Sequence, residues 1–211
     1  MEKLSKQFVK KNMLSSNVSV VKAVEDVSFS LYNGEVLVIA GESGSGKSTI
    51  AKLILGAVDP DSGEIFFEGK KSGDDQKILK KIRMQCQMVY QDPYDSINPR
   101  MKVADIISEP LEIHNIGDNL ERKKIILDAL HEVKLEPAED IVNKYPHMLS
   151  GGQRQRVVLA RALVLRPKVI IADEPVSMLD VSIRAEILEL MKEIQKKNLS
   201  LIHISEPTRP Y

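Results

Sequence analysis

Residues 41–49 read Gly41-Glu42-Ser43-Gly44-Ser45-Gly46-Lys47-Ser48-Thr49. These types at this spacing suit one task, cradling the phosphates of a nucleoside triphosphate. Glycines let the backbone curl until successive N–H groups point at phosphate oxygens. A helix N-terminus behind them adds partial positive charge. Lys47 at the helix start reaches the terminal phosphates, and the Ser48 hydroxyl can hold a magnesium ion. A plain turn rich in Gly and Ser does not account for Lys-Ser-Thr.

A second group of reactive residues is Asp173-Glu174, after the apolar run Val169-Ile170-Ile171-Ala172. At the carboxyl end of a buried strand beside a phosphate loop, the first acid can hold magnesium or its bound water. The second can polarise an attacking water. In-line attack on a γ-phosphate needs that division of labour. A third segment, Leu149-Ser150-Gly151-Gly152-Gln153-Arg154-Gln155-Arg156-Val157, opens a helix with Ser before two glycines. That makes a second anion-binding helix N-terminus. One nucleotide already has a phosphate loop, so the second site asks for another reason.

The elements that must position these groups follow from pattern. The apolar run 36–40 is a strand feeding the loop, and 50–55 continues the helix behind it. Residues 18–24 and 27–31 alternate well enough for two short strands, with a turn at 32–34. Residues 1–17 are basic and polar with little periodicity. Residues 64–67 and 84–90 predict further strands, and 70–75 a charged loop. From 102 to 148 the spacing is helical, at 104–107, 120–131 and 138–143, with Pro110 and Pro137 as breaks. That predicts a helical lobe, taken as approximately residues 92–150. A helix from Ser150 to about 165, a strand at 169–172 and an amphipathic helix over 181–197 complete the pattern.

Bulk properties narrow the function classes. The chain has 211 residues, enough for one good core and a smaller lobe. Lys+Arg and Asp+Glu both number 30, so no net charge draws it onto DNA or lipid. Its one cysteine, Cys86, excludes an internal disulfide and reads as a buried structural thiol. No apolar run approaches membrane-spanning length and no signal-peptide core opens the chain. The expectation is a protein soluble in the cytosol, for which any membrane role would have to come through a partner. His114, His131 and His147 have no metal-ligand spacing. Arg154 and Arg156 read as a solvated face or a dimer contact.

The phosphate loop, residues 149–157 and residues 169–174, in this order and spacing, resemble the nucleotide-binding subunit of an ATP-binding cassette transporter. The resemblance covers roughly residues 4–198. It implies an α/β fold: a P-loop NTPase core with a parallel sheet, an N-terminal antiparallel β subdomain and an inserted α-helical subdomain. It implies ATP and Mg²⁺, and that Ser150-Gly151-Gly152-Gln153 binds the γ-phosphate of ATP held by a second ATPase subunit, identical or sister. Gln91 becomes a switch residue near magnesium and the lytic water. Asp180 would lie at the dimer seam. Met178 stands where small residues are common. Phe8 matches the aromatic that stacks on adenine. Residues 91–101, 107–111 and 176–185 resemble the oligopeptide/dipeptide importer ATPases, with nickel importers close. The family role is peripheral, on the cytoplasmic face of the bacterial inner membrane. The helical lobe docks on permease subunits, and an extracellular solute-binding protein acts indirectly. No nucleic acid is expected. The competing readings are a soluble cassette ATPase acting on DNA or ribosomes, and an inactive nucleotide-binding fragment.

The end of the chain departs from the pattern. The family places a switch histidine after the next buried strand. Here residues 199–211 resemble the translation of a transposase-based sequencing adapter, and His203, followed by Ile-Ser, does not match the switch residue. The expectation is a domain over 1–198 and a non-native tail over 199–211. The sheet then lacks its closing strand, and the chain binds ATP weakly, hydrolyses it poorly and aggregates through an open edge.

Overall fold

The computed structural model describes residues 1–11, 18–73, 75–197 and 199–205, the side chains of 10, 11, 18, 19, 94 and 95 apart. In chain order it holds β1 (Glu2–Lys11), β2 (Val18–Val27), β3 (Val36–Ala40), α1 (Lys47–Ile54), β4 (Ser62–Glu64), β5 (Phe66–Phe67) and β6 (Lys70–Lys71). There follow α2 (Gln76–Gln85), β7 (Cys86–Val89), α3 (Pro93–Ser96), α4 (Val103–Ile113), α5 (Asn119–Glu132) and α6 (Ala138–Ile141). A 3₁₀ turn (Pro146–Met148) leads to α7 (Gly151–Leu163), then β8 (Val169–Asp173), α8 (Val181–Gln195) and β9 (Ser200–Ser205).

The centre is a four-stranded parallel sheet in the order β3-β9-β8-β7. All four strands run the same way, so Ala40, Ser205, Asp173 and Val89 end along one edge. An antiparallel sheet β2-β1-β4 and a β5-β6 hairpin lie outside it. Residues 93–148 hold helices and no strand. This is the expected α/β architecture with an antiparallel β part and a helical insertion.

Two cores sandwich the parallel sheet. Ile171, Ile202 and Ile204 face Leu4, Val24, Ile50 and Leu53 from β1, β2 and α1. Ile170 and Ala172, on the opposite face, join Ile187 and Leu190 of α8 and the apolar sides of α4, α5 and α7. A strand covered on both faces must be apolar throughout, which is why β8 reads as a continuous run. Each fully buried isoleucine contributes about 1.5–3 kcal/mol.

Several expected elements are corrected. Residues 18–24 and 27–31 are not two strands: β2 runs through to Val27, and Asp26 adopts a left-handed φ of 49° at its end. Phe29 and Leu31 leave the sheet yet still pack on the core. Residues 2–11, read as aperiodic, form a strand because their backbone pairs with β2 from Leu4↔Val27 to Lys11↔Val18. Met84 and Gln85 belong to α2 rather than to a strand. Lys70–Lys71 is hairpin rather than loop. Pro110 does not break α4; buried in the helix interior, it removes one donor that the packing of this face outweighs.

The closing strand of the sheet is present. Ser200–Ser205 forms β9, inserted between β3 and β8, with Leu201 opposite both Val36 and Ile170. Alternation explains it: Ser200, Ile202 and Ile204 are buried and the residues between them half-buried. The expectation of a sheet missing a buried member is therefore overturned. His203 sits mid-strand between Val38 and Ala172, and burial pushes its imidazole below the ordinary value. Residues 206–211, the rest of the expected tail, lie outside the described residues.

Candidate active site

The phosphate loop leaves β3 and enters α1 at the carboxyl edge of the sheet. Gly46 is the N-cap of α1 with φ 94°. A Cβ there would stand 1.9 Å from the Ala23 carbonyl oxygen of β2, so only glycine fits both the turn and the close approach. Ser45 N–H donates to the Glu42 carbonyl at 3.1 Å, closing the loop on itself. The start of the loop is tied to the sheet, with Gly41 N–H donating to Ser205 O at 3.3 Å.

Lys47 is 7% exposed. Its ammonium donates to Gly41 O at 2.7 Å and Glu42 O at 2.8 Å. Among the described residues its partners are carbonyls and none is a carboxylate, so its positive charge is not neutralised locally. With the N-terminus of α1 alongside, the loop offers a concentrated field for an anion.

Ser48 Oγ donates to Asp173 Oδ2 at 2.8 Å, joining the start of α1 to the end of β8. Glu174 follows with a left-handed φ of 45°, a strained conformation for a non-glycine residue. It is fixed from both sides: its N–H donates to Ile204 O at 3.0 Å, and its carbonyl accepts from Ser177 N–H at 3.1 Å. Gln91, just beyond β7, donates through Nε2 to Glu174 Oε2 at 3.0 Å. Three separated segments thus meet at one point.

A cleft of about 380 Å³ gathers Phe8, Ser43, Gly44, Gly46, Lys47, Ser48, Thr49, Gln91, Asp173 and Glu174. Gly41, Glu42 and Ser45 shape the loop without lining the cleft. Val21 and Ala23 line it too and were missed; Val21 lies opposite Phe8 in the β1–β2 pair. Phe8 is 39% exposed at the cleft mouth. Lys6 Nζ lies 5.8 Å from its ring centroid.

The oxygens fit magnesium. Mg²⁺ takes one or two protein oxygens and completes its shell with water and substrate phosphates. Ser48 and Asp173 supply hard donors side by side, Gln91 lies in the same cleft, and no cluster of three His, Cys, Asp or Glu forms a protein-only cage among the described residues.

Ser150, Gly151, Gly152 and Gln153 do not line this cleft. They open α7 in a reciprocal cap: Gln153 N–H donates to Ser150 Oγ at 3.2 Å, and Ser150 N–H to Gln153 Oε1 at 3.0 Å. Gly152 is buried against Ile183 of α8, and Ser150 is exposed. Arg184, also missed, braces the segment between β8 and α8, donating to Leu179 O at 2.7 Å and Ser177 O at 3.1 Å. Met178 is exposed on that segment, and Asp180 is the N-cap of α8 without a side-chain cap bond.

The family model described as ABC transporter matches residues 24–177. The chain belongs to the ABC transporter family. Among curated relatives, the oligopeptide transport ATP-binding protein AppF of Bacillus subtilis is 45% identical over 93% of this chain and 60% of its own length. The dipeptide transport ATP-binding protein DppF of Haemophilus influenzae is 42% identical over 96% of this chain and 62% of its own. The chain thus spans about 60% of these ABC relatives. Among solved structures, the dimeric MJ0796, a bacterial ABC transporter cassette, superposes with a TM-score of 0.80 at 30% identity. That match covers 97% of this chain and 86% of the other. A structure of the same cassette bound to ADP and Pi gives 0.79.

Proposed function

We propose that this chain is the ATP-binding and hydrolysing cassette of a peptide importer, working as one of a pair. The observation that carries the reading is the cleft itself. It brings an unneutralised lysine, a hydroxyl–carboxylate pair and a second carboxylate to one opening, at the N-terminus of α1. Lys47 and the N–H groups of residues 43–49 bind and orient the β- and γ-phosphates. Phe8 packs on the base. Ser48, Asp173 and Gln91 would hold Mg²⁺, which would neutralise charge on the phosphate oxygens. Glu174, freed from Gln91, accepts the proton of a water lined up with the γ-phosphate.

The Ser150–Gln153 turn does not line the cleft of its own protomer, and Ser150 is exposed. A head-to-tail pair gives that turn a target, with Ser150–Gln153 of one copy closing on the nucleotide of the other. The dimeric MJ0796 cassette supports that reading, and AppF and DppF support oligopeptides or dipeptides as cargo. On this proposal the chain sits peripherally at the cytoplasmic face of the membrane. Its helical lobe docks on permease subunits served by an external binding protein.

Complementation tests the shared site. Lys47→Ala and Ser150→Ala chains are each expected to hydrolyse ATP poorly. Mixed, they form one intact site from the Lys47 of one and the Ser150 of the other, and turnover recovers. A mixture no more active than its parts would sink the paired reading.

A further inference from the structure

At the opposite end of the sheet from the nucleotide cleft lies a cavity of about 560 Å³. Its wall is formed by the start of β7, β8 and β9, the end of α1, one side of α2 and the β5-β6 hairpin. Phe29, Ile54, Phe66, Phe67, Ile82 and Cys86 give it an apolar interior. The size falls within the range of small-molecule sites, about 300–1,000 Å³, and the mix of aromatic walls with few polar groups is typical of them. It shares no lining residue with the nucleotide cleft. The interior is a low-polarity place, because burial is the main reason the Cys86 thiol is pushed up to about 12.

Two charged side chains of the lining stand together. Glu68 and Lys168 both line the cavity. Glu68 is ion-paired to both Lys81 and Lys168, and Lys81 also stands 5.9 Å from the Phe67 ring centroid. Two ammonium groups answer one carboxylate, so the group carries spare positive charge. Glu68 and Gly69 both have positive φ, 51° and 73°, in a two-residue hairpin turn of the kind that favours Asn-Gly. A glutamate in that strained position is compensated by its two lysines, which hold the hairpin against the cavity.

We propose that this cavity binds an elongated apolar molecule with a single anionic head group. The tail lies among the Phe29, Phe66 and Phe67 rings, and the head group meets Lys168. The chain has no tryptophan, so Phe67→Trp installs a lone fluorescent reporter in the wall. Decanoate is expected to shift its emission saturably and ATP not to reverse the shift. Calorimetry on the unaltered chain gives the affinity without a reporter. Lys168→Ala, at a side chain more than half exposed, should weaken decanoate about ten-fold, a loss in the range of one charge-assisted hydrogen bond, and leave decanol within about two-fold. Absence of saturable decanoate binding by calorimetry overturns the proposal. So does displacement of decanoate by ATP, or equal weakening of decanoate and decanol in Lys168→Ala.

Discussion

The phosphate loop and the Ser150 turn each place helix N-terminal N–H groups where an anion could meet them, but they are held in opposite ways. The loop depends on distant parts of the chain. Ser205 anchors Gly41, the Ala23 carbonyl demands a glycine at Gly46, and Asp173 receives Ser48. The Ser150 turn takes its capping hydrogen bonds from its own residues, through the reciprocal Ser150–Gln153 pair, and meets distant parts only where its glycines pack beside Leu179 and Ile183. A site assembled from afar is ready only when the whole core is folded. A locally capped helix start keeps its shape on an exposed surface, as a contact offered to another copy must.

Changes at the two regions should therefore separate. The largest effect is expected from Glu174→Gln, which keeps the Gln91 contact possible but removes the base. Turnover should fall about 10²–10⁴-fold with ATP affinity nearly unchanged, read by steady-state hydrolysis and nucleotide titration. Gly46→Ala tests the dependence on distant parts. The clash with Ala23 O should cost about 2 kcal/mol or more of stability by denaturant titration and abolish tight ATP binding.

Ser150→Ala sharpens the contrast. Loss of the cap should lower stability by only about 1 kcal/mol. Turnover should nevertheless drop at least about ten-fold, while ATP binding to the lone chain stays unchanged. Phe8→Ala should weaken ATP about ten-fold, in line with about 1–3 kcal/mol for stacking a base on an aromatic ring, and spare turnover at saturation. The smallest expected effect concerns His203. Burial lowers its folded pKa below 6.5, so the unfolded chain takes up the proton first. The stability from the neutral ring is present above pH 6.5 and is lost as pH falls through the folded value. The urea midpoint should decline over that window, and His203→Leu should flatten the decline.

Which residues gather at the cleft was legible in the sequence further than the frame around them. Lys47, Asp173 and Glu174 announce themselves because each follows an apolar strand and sits at a fixed offset from it. β8 was readable because burial on both faces forbids polar residues. β1 was not: among its described side chains only Leu4 is buried, and Gln7, Phe8 and Val9 in succession are exposed, so no alternation marks it. Pro110 looked like a stop because local geometry says so, and tertiary packing overrode it. Val21 and Ala23 reach the cleft by strand pairing, which spacing along the chain does not encode. β9 was discounted because its continuation looked foreign. A sheet slot accepts any segment whose alternate residues are apolar, and Leu199–Ser205 meets that condition whatever its origin.

β9 ends in two adjacent carbonyls with different clients. Ile204 O holds the backbone of Glu174, and Ser205 O holds the backbone of Gly41. One strand tip therefore acts as a calliper between the start of the phosphate loop and Glu174. A shift of this tip by one residue would reset that gauge even with every reactive side chain intact.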